Sequence, residues 1–217
     1  MDGVTLQSKL YAGYAKAATR IGLPCNQYRP TSLTAGAIVP ATFVQTLTAS
    51  FNAQDFAYGK PNTYGKPLWY CLADGSQLTP GDYLVDPNGR PYFIAGMQPL
   101  LPILAVDCNR VVSFFRPQQQ NSVGAAGYGG NTVANQTPLV TAYPASVLQG
   151  TKGDKSLVNL PGDIRTPWWA VLLPNLPSSV NLRNGDVMVD DNGKRYKVSS
   201  AELTDLGWRM SASETET

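Results

Sequence analysis

Gly81-Asp82-Tyr83-Leu84-Val85-Asp86-Pro87-Asn88-Gly89-Arg90-Pro91-Tyr92 and Gly185-Asp186-Val187-Met188-Val189-Asp190-Asp191-Asn192-Gly193-Lys194-Arg195-Tyr196 are two writings of one β-hairpin, 104 positions apart. Gly, Asp, Val, Asp, Asn, Gly, a basic residue and Tyr recur in register. Asn-Gly between alternating apolar residues is a strong short-hairpin signal, because both residues tolerate the positive φ of a type I′ turn. Tyr83 and Val85, and Val187 and Val189, alternate with their neighbours as half-buried strands do. Tyr92-Ile94 and Tyr196-Val198 resume the alternation beyond each turn.

The repeat extends past the hairpins. Pro67-Leu68-Trp69-Tyr70-Cys71-Leu72 answers Pro167-Trp168-Trp169-Ala170-Val171-Leu172 at an offset of 100, and Ala49-Ser50 answers Ala145-Ser146. A changing offset means that loops differ in length while strands persist. Ala105–Val112 and Leu206–Met210 supply a further strand to each copy. Short strands at regular spacing with turn signals predict a mainly β chain of two tandem small β-barrel or sandwich modules related by this internal repeat, plus one N-terminal α-helix. The expected organisation is an N-terminal helix and extended arm over 1–40, a first β module over 41–117, a flexible Gly/Gln-rich linker or loop over 118–136 and a second β module over 137–217.

The helix is read over 4–21. Leu6, Leu10, Tyr14, Ala17 and Ile21 recur at spacings of three and four, Gly22 stands where a C′ glycine belongs, and Pro24 blocks continuation. Such a helix packs on its own domain or docks as an arm on a neighbouring subunit, with Lys16 and Arg20 on its other face. Residues 23–40, punctuated by Pro24, Pro30 and Pro40, read as an extended connector. Thr42–Phe51 alternates as a strand with one wet face. Ala57–Lys66 reads as a loop, and Pro99–Leu104 is an apolar loop that is either tucked in or presented to a partner.

Composition bounds the chemistry. The chain has 217 residues, a net charge of +2, 15% charged residues, 20 Gly and 17 Pro, a balance that favours strands and turns over long helices. No Lys/Arg cluster points to nucleic acid or an anionic membrane. No stretch approaches the roughly 20 apolar residues of a membrane span, and the start of the chain lacks a basic-then-apolar leader pattern, so secretion by the general pathway is not expected. Cys25, Cys71 and Cys108 have no metal spacing and are expected to be reduced and buried.

With no histidine, Ser-His-Asp and Cys-His nucleophile systems and His-containing zinc sites are excluded. Asp82, Asp86, Asp186 and Asp190 are the candidate carboxylates for a glycan hydrolase, but their repetition at equivalent turn positions points to turn chemistry. Asp86–Gly89 and Asp190–Gly193 lack the twelve-residue ligand spacing of an EF-hand. The glycine run at 124–130 carries no Gly-Lys-Ser/Thr phosphate signature. Trp69 and Trp169 occupy equivalent positions and read as core, whereas Trp168 is a candidate surface residue.

A Gly-Asp entry, a short strand, Asp-x-Asn-Gly-basic-x-Tyr and renewed apolar alternation resembles the small β-barrel proteins of tailed-bacteriophage head-to-tail connectors. Asn88-Gly89-Arg90-Pro91-Tyr92-Phe93 and, more closely, Asn192-Gly193-Lys194-Arg195-Tyr196-Lys197-Val198 carry the likeness. Leu10–Ala18, Gln149–Gly153, Asn159–Asp163 and Ser200–Arg209 are similar to stretches of phage and prophage virion proteins. The tandem copies depart from the simple connectors.

The resemblance implies a virion neck or collar subunit, a head-tail connector forming an oligomeric ring between capsid portal and tail. It would be assembled in the bacterial host cytoplasm and reside in the virion. Its implied partners are other copies of itself and portal, connector, tail terminator or tail tube proteins. It implies no membrane, no sequence-specific nucleic acid although DNA passes through the ring, no cofactor, no metal and no catalysis. A tail or baseplate subunit, and a module that binds the capsid or host surface, remain open alternatives. The candidate interface residues are Leu6, Leu10, Tyr14, Lys16, Arg20, Leu100, Leu101, Ile103, Tyr128 and Trp168.

Overall fold

A computed structural model of the chain describes residues 2–53, 65–117, 135–150, 167–178 and 180–215. Helix α1 (Gly3–Ile21) precedes β1 (Leu23–Tyr28), β2 (Phe43–Ala53), β3 (Leu68–Leu72), β4 (Tyr83–Val85), β5 (Pro91–Gly96) and β6 (Ile103–Asp107). These strands close a barrel in the order β1-β2-β3-β6-β5-β4. The second half supplies β7 (Arg110–Pro117), β8 (Gln136–Gln149), β9 (Trp168–Leu173), β10 (Val187–Asp190), β11 (Arg195–Thr204) and β12 (Gly207–Thr215). They close a second barrel whose order, β10-β11-β12-β9-β8-β7, repeats the first with every strand number raised by six. Closure leaves neither sheet an open edge. The chain is therefore mainly β, with two tandem barrel modules and one N-terminal helix.

The repeat holds at the level of register. Ser50 pairs with Leu72 as Ser146 pairs with Leu172, and Trp69 pairs with Ala105 as Trp169 pairs with Ala212. Even the bulges coincide: the ladder slips between Ile94 and Gly96 in one copy and between Val198 and Ser200 in the other.

Two allotments differ from the sequence reading. Residues 23–28, expected in the connector, are the first strand of barrel one, pairing with both β2 and β4. Residues 110–117, expected in the first module, pair with β8 and β10 and belong to barrel two. The barrels are thus separated only at Cys108-Asn109. Of the expected linker, residues 118–134 lie outside the described set, and Gln136 already begins β8. Most of the expected 57–66 loop is likewise outside it.

The hairpin turns are not type I′. Only Leu100 and Ala142 among the described non-glycine residues have positive φ, so Asn88 and Asn192 do not. Gly89 (φ 82°) and Gly193 (φ 77°) instead follow a type I turn in the left-handed position. Asp86 Oδ1 accepts from the amides of Asn88 and Arg90, each at 2.9 Å. Asp190 Oδ1 accepts from Asn192 at 3.0 Å and from Lys194 at 2.9 Å. Asp-Pro-Asn-Gly has the type I preferences at all four positions, and the aspartate decides the turn.

Helix α1 starts at Asp2, whose Oδ1 accepts from the Thr5 amide at 2.8 Å. Its buried face is rotated about one residue from the predicted stripe. Ala18 is fully buried and Tyr11 and Tyr14 pack on the core of barrel one, whereas Leu6 and Ile21 are exposed. Gly22 is extended (φ −91°) and serves close approach: a Cβ there would lie 2.6 Å from the carbonyl oxygens of Ala18 and Ala49.

Candidate functional site

The repeated Gly-Asp positions are structural. Asp82 is buried and receives Gln27 Nε2, Arg29 Nε and Arg29 Nη2, all at 2.7 Å, with the Thr79 amide at 2.9 Å and the Thr79 hydroxyl at 3.1 Å. Asp186 receives Arg116 Nε and Nη2 and the Arg183 amide, all at 2.9 Å. The carboxylates raise the proton affinity of the Arg29 and Arg116 guanidinium groups, chiefly through these hydrogen bonds. A bidentate Arg–Asp clamp thus ties the first strand of each barrel to the loop that enters its fourth. Nothing in the hairpin alone announces the arginines, which lie 53 and 70 residues away from their partners.

The two barrels meet through unlike surfaces. On barrel one, Tyr83, Phe93, Ala95 and Val106 point away from its core yet are at most 3% exposed, because barrel two covers them. Tyr83 donates its hydroxyl to the Pro144 carbonyl at 2.8 Å, and its ring stands edge-on to Tyr143 at 6.4 Å. Burial pushes the Tyr83 phenol well above its ordinary range and the Tyr143 phenol up to about 12. The Tyr143 hydroxyl donates to Ser32 O at 2.6 Å, while Thr141 N–H donates to Leu33 O at 2.8 Å and Ala37 N–H to Ala142 O at 3.2 Å. The β1–β2 loop of barrel one is therefore strapped along β8. Asn109 adds a reciprocal pair with Val147 at 2.7 and 2.8 Å.

Equivalent positions on barrel two are different in kind. Phe93, Ala95, Leu104 and Val106 correspond to Lys197, Ser199, Ser211 and Ser213, from the matching registers of β5–β6 and β11–β12. Lys197 and Ser199 are exposed, and the serines bond one another across the ladder, Ser200 to Ser211 at 2.7 Å. On the other side, α1 lies against β2, β3 and the short turn at Gly75–Gln77, the region of barrel one that matches the part of barrel two facing barrel one.

Like ends of the barrels adjoin. A Cβ on Gly81 would be 3.1 Å from Asn175 O, one on Gly96 would be 2.7 Å from Leu206 Cδ2, and Gln98 Nε2 reaches Asp205 at 3.4 Å. All six residues sit at the ends of their barrels that carry the β1–β2, β3–β4 and β5–β6 loops or their counterparts. Equivalent modules touching through different faces with like ends together make a heterologous contact, a kind that generates a ring where its rotation closes and a filament where it does not.

The sequence-predicted interface residues separate into groups. Leu6, Lys16 and Arg20 are exposed on α1, Leu10 is half-buried, and Tyr14 packs half-buried on the core of barrel one. The helix thus packs on its own barrel, and a built fit holds it: a Cβ on Gly75 would lie 2.4 Å from the Tyr11 ring. Leu100 and Leu101 are exposed, but Ile103 is fully buried in barrel one, because β6 begins there. Trp168 is half-buried with its ring against Gly150. Tyr128 lies outside the described residues.

A cleft of about 520 Å³ between the barrels is walled by Ile38, Val39, Val85 and Pro91 with Arg110 and Asp191 at its polar side. Arg110 stands 3.9 Å from Asp190 and 4.0 Å from Asp191. Among the described residues no group of three or more Cys, Asp or Glu is arranged to hold a metal ion. Cys25, Cys71 and Cys108 are free and buried; burial pushes the Cys25 thiol up to about 11 and raises the other two as well. No described helix is long and apolar enough to cross a membrane. No family model, curated protein or solved structure matches this chain.

Proposed function

We propose that this chain is a structural ring subunit of a tailed-phage virion, in the neck or collar between capsid portal and tail. The observation that carries the reading is the heterologous contact between homologous barrels with like ends together. The hairpin likeness to head-to-tail connector barrels supports the same reading. Repeating the internal contact between chains brings the β10–β11–β12 face of one copy to the α1-covered side of the next. That junction is polar where the internal one is apolar, so the subunit stays soluble until assembly. Lys197 on one surface and Lys16 and Arg20 on the other make it weaken at low ionic strength, where like charges are least screened.

Virions assembled from a genome carrying an epitope-tagged copy of the gene test the reading. Antibody label at the neck is the expected image. Label at the baseplate or on the capsid surface, or virions without label, would overturn it.

A further inference from the structure

Exposed apolar side chains are unevenly placed. Of ten exposed large hydrophobic residues among those described, seven sit at the end of the paired barrels that carries the β5–β6 loop. Val4 and Leu6 on the start of α1, Leu100 and Leu101 on the loop and Leu203 near the β11–β12 tip are 43–81% exposed. Phe43 and Val44 continue the same rim at the start of β2. The opposite end instead carries the Asp-x-Asn-Gly turns, with their charged Arg90, Asp191 and Lys194.

The three central elements are held together. Leu100 N–H donates to Gln7 Oε1 at 2.5 Å, and Gln98 reaches Asp205. Leu206 lies on Gly96. Leu100 has a φ of 63°, a conformation unfavourable for leucine, and beside it Gln7 Nε2 is buried without an acceptor. A leucine held exposed in that conformation, with Leu101 exposed beside it, presents apolar surface that marks an interaction site.

We infer that this apolar end docks on the same end of a second copy of the chain, through a two-fold contact centred on Leu100 and Leu101. Charge favours a second copy. Lys9 shares the face of α1 that carries Leu6, and Glu202 and Asp205 flank Leu203 across the patch, all exposed. A two-fold sets the base of each copy against the acids of the other, so the surface complements itself. The inference goes beyond the ring reading and does not need it, because the whole surface belongs to one chain. In a ring the same contact stacks two rings end to end.

Sedimentation velocity and native mass spectrometry of the full chain, from low to high micromolar concentration, read the contact. The expected result is a concentration-dependent dimer. Leu100→Asp/Leu101→Asp should weaken it at least tenfold. Leu100→Gly, which relieves the backbone conformation and keeps the fold, should also weaken it while the thermal midpoint holds or rises. Lys9→Glu should weaken it, and Lys9→Glu combined with Asp205→Lys should restore it. A monomer across the whole range, or a dimer indifferent to Leu100→Gly and to charge reversal, overturns the inference. Rings held by lateral contacts, in which these variants change nothing, would leave the ring reading standing and remove this one.

Discussion

Exchanging one residue between the repeats should be costly in the first barrel and nearly neutral in the second. Phe93 and Lys197 occupy the same position of β5 and β11, but Phe93 is 1% exposed against barrel two and Lys197 is exposed. Phe93→Lys loses the transfer free energy of a fully buried aromatic side chain, about 1.5–3 kcal/mol. It also forces an ammonium to desolvate or to wedge the barrels apart, so the total is about 3–5 kcal/mol. Lys197→Phe removes an exposed side chain and should change stability by no more than about 0.5 kcal/mol. Urea unfolding followed by tryptophan fluorescence and circular dichroism measures both. Phe93→Lys should also split one transition into two, because the shared apolar contact is what couples the barrels. A loss below about 1 kcal/mol with a single transition retained would refute a contact built on the outer face of β4–β6.

Three further outcomes follow from the geometry. Asp82→Ala should cost about 1–3 kcal/mol, since it leaves the Thr79 amide without its acceptor while Gln27 and Arg29 keep only Gln77 O, at 2.9 and 3.4 Å, and Asp186→Ala should cost less because Asp186 receives three hydrogen bonds where Asp82 receives five; thermal denaturation of both variants checks the order. Gly75→Ala drives a methyl into the Tyr11 ring and should loosen α1 at a cost of about 1–3 kcal/mol, read as faster amide exchange confined to the helix. Burial raises the Cys25 thiol from 9.0 to about 11, so the folded state holds that proton more tightly than the unfolded one. Its stabilising effect is complete below pH 9 and is lost as pH rises through 11; the urea midpoint should fall across that window, and less steeply in Cys25→Ala.

Much of this fold is written locally. The Gly-Asp and Asp-x-Asn-Gly signatures are turn chemistry, set by residues a few positions apart, and so the duplicated hairpins and the changing offset between copies are legible by eye. The arginine clamps are not, because Arg29 and Arg116 depend on which strand closes each barrel. The same long-range closure moves 23–28 and 110–117 into barrels that a linear reading does not give them. The contact surface did leave a trace. Tyr92-Phe93-Ile94-Ala95 is apolar on both faces where Tyr196-Lys197-Val198-Ser199 alternates, and a strand buried on both sides needs a cover. Ile103 reads as a loop residue because it falls in the apolar run Pro99–Leu104, and the start of β6 there is set by long-range pairing of Ile103 with Cys71 of β3.

Image averages of the purified chain from low to high ionic strength, alone and with portal and tail proteins added, weigh the ring reading. Closed rings of a single diameter, built from barrels in even number with their axes parallel, are the predicted result. Particles that never exceed a single chain or a two-fold pair, at any salt concentration and with portal and tail proteins present, would contradict it.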